Sequence, residues 1–267
     1  PGRKRCFDGD TLLTLSDGTT KIIKDIKTGD VLSDGGRVTA VFKLASCGMT
    51  MYNFDDVIVS GCHRVLYNNA WKIIQDIDES EEVEDWKEEI YCLTTTTKRI
   101  PINNFLYLDW DELDEISMVT FKSNARSYLS KEIDYENIHE TFDGGFHEDT
   151  KLELVDGGIK SIKDITINDI LRLDGRILGK IEIDATDLEN IKDYNILGKQ
   201  ICGGPNLFIV DNDLGNFSTL DMVGKKISPQ LKLYHLITET NQLTVDNIKF
   251  SDYDGNIDII LGTENTE

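Results

Sequence analysis

Apolar and polar residues alternate in short runs along this chain. The runs at 11–15 (TLLTL) and 151–154 (KLEL) show the pattern, and an Asp-Gly pair follows each of them, at 17–18 and 156–157. Alternation with a period of two is typical of a strand buried on one face, and Asp-Gly is a strong signal for a tight turn between strands. Both segments are therefore predicted to be β-hairpins.

The segments after these hairpins continue the strand-rich pattern. At 21–32 (KIIKDIKTGDVL) the isoleucines are spaced for a short strand, a turn at Gly29-Asp30 and a further strand. Short strands with few helical periods predict an all-β fold of the pseudo-barrel or sandwich kind. The stretch 123–139 has a helical pattern instead, and the acidic segment 76–89 is predicted to be a solvated loop.

The chain contains an internal repeat. Residues 10–38 align without a gap to 149–177, and residues 91–112 align to 234–255 after a four-residue shift. Order and spacing agree between the two halves, which predicts two tandem copies of one unit joined by a short helical linker. The predicted organisation is an upstream flanking segment at 1–5, a first copy at 6–118, the linker at 119–145, a second copy at 146–258 and a tail at 259–267.

The two copies differ at residues that carry chemistry. Cys6 opens the first copy, and Gly145 stands at that place in the second. In the same alignment Asn206 lies opposite His63. A copy that no longer reacts can lose catalytic residues while it keeps structural ones, so Cys6 and His63 are candidate catalytic residues.

Three motifs of the first copy occur in order. They are CFDGDT at 6–11 with the turn and strands after it, SGCH at 60–63, and the stretch 91–102. These motifs resemble those of the Hint domain, the self-processing fold of hedgehog C-terminal regions, inteins and bacterial intein-like domains. SGCH resembles the family's TxxH motif with Ser60 in place of threonine. Residues 105–112 resemble an extension seen in Hint-like proteins of large DNA viruses, so the chain resembles a tandem Hint-like protein with a degenerate second copy.

The resemblance implies self-cleavage at the bond between Arg5 and Cys6. The Cys6 thiolate would attack the Arg5 carbonyl, and an intramolecular attack benefits from an effective molarity of up to about 10⁵–10⁸ M. The product is a thioester. His63 is the candidate acid for the leaving nitrogen, a role that contributes about 10²–10⁴-fold, and Ser60 is a candidate hydrogen-bond partner of the scissile peptide.

Several residues depart from the family pattern. Lys98 stands at the late-motif position where histidine is common, so the late motif does not supply a familiar second step. Asn103-Asn104 has no preceding histidine, so asparagine cyclisation and full protein splicing are not expected. The segment 109–111 (DWD) recurs as 252–254 (DYD) in the copy without the cysteine, which favours a structural role for it.

Charge and cysteine content limit the possible partners. Lys and Arg total 28 against 49 Asp and Glu, a formal net charge of −21 that would repel a phosphate backbone, so no nucleic-acid partner is expected. No apolar run approaches the roughly 18 residues of a membrane helix, so no membrane partner is expected. The five cysteines are an odd number without a signal-like segment, which predicts reduced thiols in a reducing intracellular compartment. The first residue is Pro1, which indicates a fragment or processed piece.

Four readings remain open from sequence. In the first, the domain cleaves its own upstream segment, and water or an external nucleophile discharges the thioester. In the second, a Hint fold that no longer reacts serves as a binding or structural module. The third reading is a zinc site formed by Cys6, Cys62, His63 and His147. The chain lacks the C-x-x-C or H-x-x-x-H spacing that would support it, so neither metal nor cofactor is expected. Cleavage in trans at the basic run 3–5 is the fourth reading.

Overall fold

A computed structural model describes most of the chain. The described residues are 5–84, 88–111, 145–186, 191–196, 198–204, 207–211, 216–219, 225–226 and 232–256. They divide between two compact units, Pro1–Glu112 and Leu113–Glu267. Both units consist mainly of β-strands, which confirms the all-β prediction. The predicted helical stretch 123–139 and the tail lie outside the described residues.

The first unit has a six-stranded sheet, a four-stranded sheet and a hairpin. The larger sheet has the order β4-β10-β1-β6-β5-β9, the smaller has the order β11-β12-β7-β8, and β2 pairs with β3. A 3₁₀ turn, Ile23–Asp25, follows the hairpin, and another, Ile74–Asp76, follows β8. The strands are β1 (Phe7–Asp8), β2 (Leu12–Thr14), β3 (Thr20–Ile22), β4 (Val38–Ala45), β5 (Met51–Phe54), β6 (Val57–Ser60), β7 (Arg64–Tyr67), β8 (Ala70–Ile73), β9 (Glu81–Val83), β10 (Glu89–Thr95), β11 (Arg99–Ile102) and β12 (Phe105–Leu108).

The first hairpin follows directly from its sequence. Leu13 is fully buried while Leu12 and Thr14 on either side are exposed, as a period of two requires. In the turn, Gly18 has φ = +84°, a conformation that costs glycine little. The Asp17 carboxylate accepts the Thr19 N–H at 2.9 Å and stabilises the turn. The predicted hairpin is confirmed.

Strand β1 lies in the middle of the larger sheet, although it has only two residues. Phe7 pairs with Tyr91 of β10 on one side and with Val59 of β6 on the other. The Phe7 ring is fully buried and contacts the rings of His63 and Tyr107, with centroids 4.6 and 5.2 Å away. Burying a phenylalanine ring stabilises a fold by roughly 1.5–3 kcal/mol, so Phe7 anchors the chain just after Cys6.

The acidic segment 76–89 is partly a strand, so the prediction of a solvated loop is wrong for residues 81–83. Strand β9 pairs with β5 in the register Met51–Val83 and Asn53–Glu81. Val83 lies opposite a buried methionine, while Glu81 and Glu82 are exposed. Charged side chains are tolerated on the open face of an edge strand, and charge alone therefore did not distinguish it from a loop.

The second unit also has a large sheet, a four-stranded sheet and a hairpin. The large sheet has the order β22-β18-β19-β13-β23-β17, the smaller has the order β21-β20-β25-β24, and β14 pairs with β15. Strand β16 pairs with β17, and the 3₁₀ turn Ile162–Asp164 follows the hairpin. The strands are β13 (Phe146–His147), β14 (Lys151–Glu153), β15 (Ile159–Ser161), β16 (Ile170–Leu171), β17 (Gly175–Asp184), β18 (Lys192–Ile196), β19 (Lys199–Gly203), β20 (Phe208–Asp211), β21 (Asn216–Thr219), β22 (Lys225–Lys226), β23 (Lys232–Thr238), β24 (Gln242–Val245) and β25 (Ile248–Ser251).

The hairpin of the second unit is also confirmed. Its turn places Gly157 at φ = +84°, and the Asp156 carboxylate accepts the Gly158 N–H at 2.8 Å.

Among the described residues of the chain, no helix has the length and apolar character needed to cross a membrane.

Gly145 lies where a side chain has no room, which gives a stability prediction. A Cβ at this position would lie 2.6 Å from the Leu233 Cβ and 3.1 Å from the Tyr234 backbone nitrogen. We expect Gly145→Ala to lower the free energy of unfolding by about 1–3 kcal/mol, because the strand must shift. Gly158→Ala is the control, since its nearest neighbour is a rotatable Asp156 oxygen at 3.0 Å. Calorimetry measures both, and equal melting temperatures for the two variants would contradict the prediction.

Candidate active site

The peptide between Arg5 and Cys6 is held by Ser60. The Ser60 N–H donates to the Cys6 carbonyl at 2.8 Å, which extends the β1–β6 ladder by one residue. The Ser60 hydroxyl oxygen accepts the Cys6 N–H at 3.0 Å. Cys6 and Ser60 are both fully buried. The nitrogen that would leave in a cleavage reaction is therefore fixed by a side chain of the SGCH motif.

A tight turn brings His63 back toward the same peptide. The His63 N–H donates to the Ser60 carbonyl at 2.9 Å, and the Ile74 N–H donates to the His63 carbonyl at 2.9 Å. Gly61, within this turn, admits no side chain because a Cβ there would lie 2.6 Å from the Tyr52 ring. The spacing of the SGCH motif therefore has a structural basis: the turn places residues 60 and 63 on the same site.

The His63 ring is fully buried and held at one nitrogen. Nε2 lies 2.9 Å from the Leu108 carbonyl oxygen, a contact that requires Nε2 to carry a proton and to donate it. In the neutral ring this leaves an unshared electron pair on Nδ1. Nδ1 has no partner with full hydrogen-bond geometry among the described residues, and the Arg5 backbone is near enough to influence the ring. Nδ1 is thus the ring nitrogen that the contact with Leu108 leaves unoccupied.

Burial determines the protonation state of His63. Loss of solvent lowers the pKa of the ring from 6.5 to about 3; the hydrogen bond to the Leu108 carbonyl and the contact with the Arg5 backbone oppose the shift, and the positive charge of Arg5 adds to it. The ring is therefore neutral at pH 7. A neutral imidazole has no proton on Nδ1 to give, so it must first accept one. An acid role at the leaving nitrogen would therefore require the ring to be protonated first.

Lys98, at the late-motif position, lies in the turn between β10 and β11. Its backbone has φ = +59°, and its ammonium pairs with the Asp111 carboxylate at 2.8 Å. The Asp111 side chain is almost fully buried. The ion pair gives Lys98 a structural part at this turn.

The Asp109 carboxylate fixes the end of β12. It is buried and accepts the Thr95 N–H at 2.9 Å and the Asp111 N–H at 3.1 Å. Its neighbour Leu108 supplies the carbonyl that holds His63. Sequence reasoning missed Leu108, because a main-chain acceptor leaves no side-chain signal. The recurrence of the DWD segment as DYD in the second half was the available signal for this anchor.

The structure therefore brings four of the predicted residues to one peptide. They are Arg5, Cys6, Ser60 and His63. Cys62 lies beside this group, with its thiol donating to the Ser60 hydroxyl oxygen over 3.9 Å. The described part of the chain contains no group of three or more His, Cys, Asp or Glu side chains placed to hold a metal ion.

The second unit has the same backbone arrangement without the reactive side chains. Phe146 pairs with Gly203, and the Gly204 N–H donates to the Gly145 carbonyl at 2.9 Å. Gly145 and Gly204 thus make the contact that Cys6 and Ser60 make in the first unit. At these two positions the second unit has glycines where the first unit has a cysteine and a serine.

This ladder corrects the alignment around His63. His63 lies three residues after Ser60, and the residue three after Gly204 is Leu207, which is fully buried. Counted from this ladder, Leu207 takes the position of His63, one residue after Asn206, with which the sequence alignment paired it. Asn206 itself lies outside the described residues.

Comparison with known proteins finds a family for part of the chain. Residues 5–108 match the family model Vint, described as a Hint-domain. No curated protein matches the chain. Among solved structures, a DnaB intein from Synechocystis sp. PCC 6803 is similar with 15% sequence identity and a TM-score of 0.30, over 40% of this chain and 99% of the intein chain.

The match to the family model covers all three motifs of the first copy and both strands that flank Cys6. Residues 5–108 are a Hint domain, and the resemblance stated from the motifs is confirmed for this part of the chain.

The low pKa of His63 predicts a loss of stability in acid. The folded state resists protonation of this ring down to pH about 3, whereas the unfolded chain binds the proton near 6.5. Stability from the neutral ring is therefore complete above pH 6.5 and falls as the pH drops toward 3, by at most about 1.4 kcal/mol per pH unit. Urea denaturation at pH 5–7 should show a shallower pH dependence for His63→Gln than for the parent. Parallel pH profiles would contradict this.

Proposed function

We propose that the first unit is a self-processing domain that cleaves the peptide bond between Arg5 and Cys6 through a thioester, without full protein splicing. One observation carries the proposal. The amide of Cys6, a buried nucleophile, is bound by Ser60, and a neutral histidine presents an unprotonated nitrogen near the same peptide. The match of residues 5–108 to the Hint-domain model supports the same class of chemistry.

The proton moves in two steps in this mechanism. The Cys6 thiol loses its proton, the thiolate attacks the Arg5 carbonyl carbon, and Nδ1 of His63 takes up one proton in exchange. The imidazolium then returns the proton to the Cys6 nitrogen, and the carbon–nitrogen bond breaks. The Arg5 carbonyl ends as a thioester on the Cys6 sulfur, and Cys6 gains a neutral amine. No proton is consumed or released overall.

The energetics favour a buried site for this exchange. A low pKa makes Nδ1 a weak base but makes its protonated form a strong acid, which suits protonation of an amide nitrogen. The Leu108 carbonyl stabilises the imidazolium through Nε2. Ser60 fixes the amide nitrogen, and attack within one residue needs no encounter between separate molecules. Water or an external nucleophile then discharges the thioester.

The second unit is, in our proposal, a diverged copy that does not react. Both units have a hairpin followed by a 3₁₀ turn with the sequence Ile-Lys-Asp. In each, a buried aspartate of the DWD or DYD segment accepts a threonine N–H: Asp109 from Thr95 at 2.9 Å, and Asp252 from Thr238 at 2.7 Å. These shared contacts support duplication.

The absence of a nucleophile supports loss of activity in that copy. Gly145 and Leu207 replace the cysteine and the histidine, and Gly145 leaves no room for a side chain. A fold that is kept without its chemistry suits a binding or structural role. If the first unit proves inert as well, that role extends to the whole chain.

Thiol-induced release tests the proposed function. A protein fused before Pro1 should be released by dithiothreitol at neutral pH, because thiols intercept thioesters. Cys6→Ala should abolish release, and Cys6→Ser should leave at most slow ester formation. Cys47→Ala, which changes an exposed cysteine, is the matched control and should cleave at the parent rate. Release that continues in Cys6→Ala would indicate a protease acting in trans on residues 3–5.

Substitutions of His63 and of Ser60 should slow release to different degrees. His63→Ala should slow release by about 10²–10⁴-fold, since it removes the proton donor for the leaving nitrogen. Ser60→Ala should cost roughly tenfold, the effect of one hydrogen bond of about 1.4 kcal/mol. Gel assays measure the rates, and circular dichroism checks folding. A folded His63→Ala variant that cleaves at the parent rate would exclude the proposed mechanism.

A further inference from the structure

A second buried cysteine lies on the strand next to the nucleophile. We propose that Cys92 is the partner of Cys6 in a reversible disulfide, an oxidation site that stops the cleavage proposed above. The disulfide follows from strand register and side-chain direction, and it can be detected without any cleavage. Only its effect on processing rests on the proposed function.

The strand register places the two cysteines opposite each other. Strand β1 pairs with β10 antiparallel, with Asp8 opposite Ile90 and Phe7 opposite Tyr91. One residue further back, the same register puts Cys6 opposite Cys92. The bond from the Ser60 N–H to the Cys6 carbonyl shows that the extended course of β1 continues through Cys6.

The two side chains also share a face of the sheet. Residues directly opposite in an antiparallel pair point to the same side, and successive residues alternate. Phe7 points its ring at His63 and Tyr107, so Cys6 points to the other face. Tyr91 lies opposite Phe7 and shares its face, so the next residue of β10, Cys92, points to the face that Cys6 takes.

Distance and burial suit a disulfide. Opposed residues of an antiparallel pair have Cα atoms about 4.5–5.5 Å apart, within the range of about 4.4–6.8 Å that a disulfide spans. Cys6 and Cys92 are both fully buried thiols. A bond between them needs no new strand pairing.

Cys62 is the competing partner, and its position differs. It lies in the turn after β6, is partly exposed, and contacts the Ser60 hydroxyl. Strand β1 has two neighbours, β6 and β10. Of these, only β10 has a cysteine at the position opposite Cys6. On β6 that position is Ser60.

Peroxide supplies the oxidising equivalents. One oxygen of hydrogen peroxide transfers to the Cys6 sulfur, which gives a sulfenic acid and one water. The Cys92 sulfur then attacks the Cys6 sulfur, and the oxygen leaves as a second water. Two thiols are oxidised and one peroxide is reduced. A thiol reductant reverses the bond.

Peptide mapping after oxidation tests the proposal on the full chain. The chain is treated with hydrogen peroxide, remaining thiols are blocked with N-ethylmaleimide, and digested peptides are analysed by mass spectrometry without reduction. We expect one linked pair, Cys6–Cys92, that disappears after dithiothreitol. Cys62→Ser should still form this pair. A Cys6–Cys62 link, or the absence of any link to Cys6, would overturn the proposal.

The functional effect has a separate readout. Hydroxylamine cleaves thioesters without reducing disulfides, so it replaces dithiothreitol in the release assay. The peroxide-treated fusion should show no release with hydroxylamine and should regain its rate after reduction and removal of the reductant. The Cys92→Ala variant should instead accumulate a Cys6 sulfenic acid that dimedone traps. Full release from parent protein that carries the mapped disulfide would contradict the proposed inhibition. An untreated fusion that never cleaves would reject the proposed function, but it would not affect the proposal that the disulfide forms.

Discussion

The hydrogen bond from the Cys6 amide to the Ser60 hydroxyl is the contact on which the site depends. It can form only because β1 enters the sheet between β6 and β10 and because Phe7 is fully buried immediately after Cys6. The turn that begins at Ser60 then fixes the direction of His63. One short strand thus brings together the groups proposed as nucleophile, leaving nitrogen and proton carrier.

Burial of the His63 side chain determines its protonation state. The same burial that makes Phe7 an anchor lowers the pKa of His63 to about 3 and keeps the ring neutral. A neutral ring held at Nε2 by Leu108 has a defined tautomer, with the electron pair on Nδ1. Stability and reactivity are therefore linked, because protonation that would prepare an acid directly would also destabilise the fold.

Sequence patterns predicted the parts that depend on local rules. Alternation and Asp-Gly pairs predicted both hairpins, and the SGCH motif identified the two side chains that meet the Cys6 peptide. The register between strands that are distant in the sequence does not follow from local patterns. The sequence alone therefore did not show that the register of β10 leads to Cys92 opposite Cys6, or that Leu207 takes the position of His63. The Leu108 carbonyl was missed because any residue type supplies one. Strand β9 was missed because its acidic residues are also typical of a solvated loop.

The central claim is that the bond before Cys6 breaks through a thioester, and the chemical end of the released segment tests it most directly. A fusion protein is incubated with dithiothreitol, and the released upstream segment is analysed by intact mass and fragmentation. The account predicts a segment that ends at Arg5 and carries dithiothreitol as a thioester on its terminal carboxyl group. A segment that ends at another residue, or one that ends at Arg5 with only a free carboxylate at saturating thiol, would contradict it.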